Sequence, residues 1–167
     1  MLLLVLVIPV LIFITYQDFK ERAVSVWLFL VLGSLFLIKN LSEILYSQYI
    51  LNVFINIGFC LIQYGILTLY FSFKKKSIIN IADTLLGWGD IVFVLVVCFA
   101  FPPLMFFIYY MLSLVIATII GFYFKLRSKT VPLAGIQSIV LAIWIIIISF
   151  IFHLSLSNDD WLIEILI

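Results

Sequence analysis

Charge is what this sequence has least of: Asp, Glu, Lys and Arg make up 10% of its 167 residues, where a soluble domain carries roughly 25%. With 67% of residues hydrophobic and a mean hydropathy of +1.40, a soluble globular protein is excluded. Nine basic and eight acidic residues leave a net charge of +1, so no basic surface exists to hold a nucleic acid. Cysteine is nearly absent too. Cys60 and Cys98 lie in apolar runs as small core residues, and two cannot make a zinc tetrad or a disulfide framework. The alternating segments of about ten residues that mark a membrane β-barrel are missing. Residues 1–16 are apolar from the outset, with no basic residue before the run and no small-x-small site after it. That predicts a retained first helix, not a cleaved leader.

What remains is an all-α polytopic membrane protein, a single domain over residues 1–167 with the lipid bilayer as its solvent. A hydrocarbon core of about 30 Å needs roughly 20 helical residues. Charges divide the chain into runs at 1–17, 23–38, 44–73, 91–124 and 130–157, with Lys39 and Glu43 marking the second turn and the third span proper starting near Ile50. Residues 91–124 would be on the order of 50 Å long as one helix, too long for a single crossing. Pro102-Pro103 divides them, since proline removes a backbone donor and clashes with the preceding turn. About six transmembrane helices result. With both termini outside, the cytoplasmic loops collect Lys20, Arg22, Lys74, Lys75, Lys76, Lys125, Arg127 and Lys129, leaving only Lys39 on the other face. Joining spans four and five would erase that bias.

This topology places Asp18, at the end of span one, and Asp90, at the start of span four, on the same cytoplasmic edge. Ionisable groups at a membrane edge are costly and therefore functional candidates. If the two helices are neighbours, the carboxylates face each other across a small polar site, and since two close carboxylates cannot both ionise easily they would share a proton, one as general base on a water and the other as general acid. That is the chemistry of an aspartic protease. Gly87 and Gly89 flank Trp88 ahead of Asp90, and their lack of side chains gives room for an extended peptide or for irregular backbone. The plainer reading of Asp90 is a helix cap after a glycine turn.

Three segments, in order, resemble the prepilin peptidases, a family of membrane aspartic proteases that includes type IV prepilin and archaeal preflagellin peptidases. Asp18-Phe19-Lys20-Glu21-Arg22-Ala23-Val24-Ser25 is similar to the family's first motif, an aspartate followed by basic residues and usually Ile-Pro-Asn. Gly87-Trp88-Gly89-Asp90 resembles its Gly-x-Gly-Asp motif, and Lys129-Thr130-Val131-Pro132-Leu133-Ala134-Gly135 its basic-then-Ile-Pro segment at the last span. The resemblance implies Asp18 and Asp90 as catalytic pair, and the room left by Gly87 and Gly89 makes them the expected substrate-binding positions. It also implies a cytoplasmic-membrane enzyme that needs no cofactor or metal. The substrate would be a pilin-like precursor whose short basic leader is removed just before its hydrophobic helix. Ser25-Val26 stands where Pro-Asn is usual, and Val92 where many bacterial members have lysine; both departures fall on substrate recognition more than on the acids. The cysteine tetrad of methylating members has no counterpart, so only peptidase activity is inferred.

Other polar residues have simpler readings. Asp83 suits a cap or surface group on a short amphipathic helix at 78–86. Lys74–Lys76 mark topology and could hold anionic headgroups. His153 lies at the far end of span six as an interfacial side chain. A presenilin-like protease fits less well, since Asp18 sits at a span end. The alternative from another class is a non-catalytic membrane transporter or scaffold in which the same acids bind protons, cations or a partner.

Overall fold

The computed structural model describes residues 2–76, 87–125 and 132–166. Among these every regular element is helical: α1 (Leu2–Glu21), α2 (Val26–Glu43), α3 (Tyr46–Lys75), α4 (Trp88–Val97), α5 (Pro103–Lys125), α6 (Leu133–Ile145) with a π-helical continuation at Ile146–Ile151, and α7 (Asp160–Leu166). Five of these segments are long and apolar enough to cross a membrane, and α4 is a shorter apolar helix. The chain is therefore built as a multi-pass membrane protein. Large apolar side chains such as Trp27, Phe54, Ile62 and Phe73 face outward, as lipid contact requires and water would penalise.

Helix α6 is the centre. Of its span Leu133–Ile151, 56% is buried inside the protein, against 6% for α3, which lies on the periphery. Helix α1 packs along α6 most extensively, and α5 and α4 also contact it, while α2 bridges α1 and α4. The shared core runs through Leu11 and Ile14 of α1, Leu32 and Phe36 of α2, Phe93 of α4 and Leu141 of α6. Thr15 ties the α1–α6 seam, its Oγ1 bonding the Ser138 Oγ at 2.7 Å and the Leu11 carbonyl at 2.8 Å.

Several helix ends differ from those read off the charges. Helix α1 continues to Glu21, so Asp18 stands in its last turn, and Arg22 closes it in a left-handed conformation (φ 55°) with its N–H on the Asp18 carbonyl. The Ser25 N–H donates to Gln17 Oε1 at 2.9 Å and fixes the tight turn into α2. Helix α2 does not stop at Lys39. It runs through to Glu43, because the Lys39 ammonium is neutralised in place: it donates to Glu43 Oε2 at 3.1 Å and to Asn40 Oδ1 at 3.2 Å, and also bonds Ser157. Lys39 is 5% exposed. Helix α3 begins at Tyr46, earlier than Ile50, and its 30 residues measure about 45 Å at a rise of 1.5 Å. That exceeds the hydrocarbon core, so the helix tilts or projects beyond it.

The break at Pro102-Pro103 falls between α4 and α5, as the sequence predicts. Helix α4 has only ten residues, about 15 Å, and is shorter than the hydrocarbon core by itself. Backbone that leaves a helix away from water must find partners in the protein. It does so here: Asn56 Nδ2 donates to the Cys98 and Phe101 carbonyls, Asn40 Nδ2 to those of Phe99 and Ala100, and the Tyr49 hydroxyl to Phe99. On the other side of the break, the N–H groups of Leu104 and Met105 at the start of α5 donate to the Asp159 carboxylate at 3.1 and 3.2 Å. Asp83, the helix expected at 78–86, and residues Arg127 and Lys129 lie outside the described residues.

Candidate active site

The first turn of any α-helix leaves backbone N–H groups without intrahelical partners and carries the positive end of the dipole. In α6 the N-cap is Pro132, which has no N–H to donate, and Ala134 and Gly135 are the second and third residues of the helix, whose amides have no intrahelical acceptor. The Ala134 N–H donates to Asp90 Oδ1 at 2.7 Å, and the Gly135 N–H donates to Asp18 Oδ2 at 2.6 Å. Two carboxylates from distant parts of the chain thus converge on consecutive amides of one helix start. They are close enough for the charge of Asp18 to act on Asp90. The third sequence segment, ending in Gly135, is what joins the first two.

Each carboxylate is also placed by its own helix. Asp18 is 7% exposed and held at the α1–α6 seam. Asp90 is the third residue of α4, and its Oδ2 accepts the Gly87 N–H at 3.3 Å, the acidic half of a capping box. Gly87 has no side chain to supply the other half. Its backbone is ordinary extended chain (φ −74°, ψ 147°), and no described glycine has positive φ, so irregular backbone is not what the two glycines supply. A Cβ at Gly87 would stand 3.3 Å from Asp90 Oδ2, whereas at Gly89 it would meet nothing within 4 Å. The space beside Gly89 is open.

Gly135 is the glycine the geometry demands. A Cβ there would lie 2.9 Å from the Phe19 ring and 3.0 Å from Asp18 Oδ2, closer than real side chains pack. Only glycine lets the start of α6 approach α1 near enough for its amide to reach the carboxylate.

Asp90 also borders a cavity of about 540 Å³ between α3, α4, α5 and α6. Its walls are mainly apolar, from Leu67 of α3, Val94 and Leu95 of α4, and Leu114 of α5. Two glutamines, Gln63 and Gln137, interrupt that lining, and both have a buried carboxamide oxygen with no partner. Asp18 is not among the residues that line the cavity. Cys60, on the cavity wall, has its Sγ 3.8 Å from that of Cys98. Among the described residues no three His, Cys, Asp or Glu side chains gather as a metal site would need.

Sequence reasoning picks out Asp18, Asp90, Gly87 and Gly89 and the structure brings all four to one end of the bundle. It misses Gly135 as the contact glycine, Gln137 as a buried polar group, and Asn40, Asn56 and Asp159 as guardians of the proline break. An isolated amide inside a long apolar run is the signal that marks Asn56, Gln63 and Gln137. Compared with known proteins, the chain matches no family model, no curated protein and no solved structure.

Proposed function

We propose that the protein is a membrane-embedded aspartic endopeptidase that removes the short leader of pilin-like precursors, as its resemblance to the prepilin peptidases implies. The observation that carries this reading is the meeting of Asp18 and Asp90 on the consecutive amides of Ala134 and Gly135. Three separate segments of the resemblance converge on one point, at a distance in sequence that local patterning cannot explain.

The two carboxylates share one proton. The ionised one takes a proton from a water as it attacks the scissile carbonyl, and the protonated one delivers its proton to the departing amine. The dipole of α6 favours the single negative charge the pair retains. Asp90, on the cavity, faces the peptide, and Asp18 acts from the α1–α6 seam. The open space at Gly89 leaves room for an extended backbone beside the first turn of α4. In this reading the chain makes six crossings of the cytoplasmic membrane with both termini outside, and the acids open to the cytoplasm.

The scaffold reading also has an observation in its favour, since each carboxylate already caps a helix start. Asparagine separates the two, because its side-chain oxygen still accepts the same N–H while it cannot carry the proton. In liposomes holding a pilin-like precursor, the wild type is expected to release the leader. Asp18→Asn and Asp90→Asn should each unfold at close to the wild-type temperature yet lose cleavage by about 10²–10⁴-fold, the usual contribution of a general acid or base. Cleavage unchanged in either variant would overturn the proposal in favour of a scaffold.

A further inference from the structure

Gln137 sits one turn into α6 and is 1% exposed, and the oxygen of its carboxamide accepts no hydrogen bond. Leaving such an acceptor buried and unpaired is costly, so a protein that retains one at its centre has a use for it. Gln137 lines the cavity that Asp90 opens onto. A second orphan oxygen, on Gln63, lines the same cavity from α3. The Gln63 side chain is fixed by a hydrogen bond to Tyr110, which leaves that oxygen free. Two acceptors without donors, in a mainly apolar chamber beside an acidic residue, define what the chamber lacks: N–H groups carried by something apolar.

At about 540 Å³ the cavity lies within the roughly 300–1,000 Å³ range of binding pockets and is far too small for a whole membrane helix. A helix has unpaired N–H groups in one place only, its first turn. We propose that the cavity receives the first turn of the precursor's apolar helix and that Gln137 is a positioning residue, its oxygen accepting an N–H from that turn. Gln63 accepts a second. Apolar side chains of the turn fill the space between Leu67, Leu95 and Leu114, and the bond preceding the turn is thereby presented to Asp90. The inference rests on the peptidase reading and extends it: the enzyme recognises its substrate by the orphan amides of a helix start, a feature that any apolar helix provides regardless of sequence.

Gln137→Met keeps the length of the side chain and removes the acceptor. Because that oxygen has no partner in the protein alone, the variant should unfold at the wild-type temperature or above it. Its KM for precursor cleavage should rise about five- to tenfold, the equivalent of one hydrogen bond, with kcat little changed. A series of precursors with proline at the second, third or fourth position after the cleaved bond reads the same contact from the other side, since proline has no N–H and is at home in a first helical turn. One of these should raise KM for the wild type by a similar factor and add nothing further in Gln137→Met. The proline series on the wild type alone keeps the test available if Gln137→Met does not fold. An unchanged KM in Gln137→Met, or proline effects that multiply with it in full, would overturn this inference while leaving the peptidase intact. A wild type that cuts no precursor overturns both.

Discussion

Asp18 and Asp90 are 72 positions apart in sequence, and each makes its decisive hydrogen bond to the start of α6, still further along the chain. Motif spacing made the two acids legible, because each stands beside glycine or basic residues at the edge of an apolar run. The contact that unites them was not, because nothing in residues 129–135 says where their backbone amides point. Gly135 shows why. Its importance lies in the 2.9 Å that a Cβ would leave to Phe19, a distance set by tertiary packing alone. Gly135→Ala is accordingly expected to destabilise the fold by about 1–3 kcal/mol, the usual cost of overpacking, and to abolish cleavage by displacing Asp18. Gly89→Ala, which meets nothing within 4 Å, should leave the melting temperature within a degree or two of the wild type. Thermal unfolding of the two variants side by side checks the contrast; equal effects would mean that the approach of α6 to α1 is not tight.

Asp159 allows a prediction with a definite sign. Burial raises its pKa above the ordinary carboxylate value of 3.8, outweighing the hydrogen bonds from the Leu104 and Met105 amides that lower it. A carboxyl whose folded pKa is raised binds more protons folded than unfolded, so its contribution to stability falls as pH rises from the unfolded value through the raised one. Asp159→Asn should remove that part of the slope in a plot of unfolding temperature against pH. A slope unchanged between the two proteins would contradict it.

At the scale of elements, charge was a good guide to where α3 ends, fell short by one turn at α1 and was a poor guide at α2. Lys39 and Glu43 looked like a turn because isolated charges in an apolar chain normally mark water. Here Asn40 and Ser157 help them neutralise one another within the last turns of the helix. A buried ammonium is more costly alone than replaced, so Glu43→Gln should destabilise the protein more than Lys39→Met does. The reverse order in chemical denaturation would show that Lys39 does not depend on its partner. The proline break was legible as a break, since Pro102-Pro103 has no other reading in a long apolar run. Its shielding was not, because Asn40 and Asn56 come from α2 and α3. Asn56 satisfies two carbonyls at 3.1 and 2.9 Å. Asn56→Leu leaves both unpaired in a buried turn and is expected to cost about 2–4 kcal/mol, read by loss of thermal stability.

For the molecule as a whole, composition alone settled the class: a chain with so few charges and so many apolar residues on its surface is soluble only in lipid. The central position of α6 could not be seen in advance, because every span is apolar enough to face lipid and packing is what separates the buried α6 from the peripheral α3. Yet that position organises the rest, with α1 and α4 each bringing one acid to the helix that neither adjoins in sequence. If the pair acts as one unit, its members must fail together. The measurement that tests this most directly is the cleavage rate of a pilin-like precursor by Asp18→Asn, Asp90→Asn and the double variant, each in liposomes and each confirmed folded. Shared work predicts that the double variant is no slower than the slower single one, since removing either carboxylate already removes the reaction. Losses that multiply, or cleavage that survives in any of the three, would contradict the account.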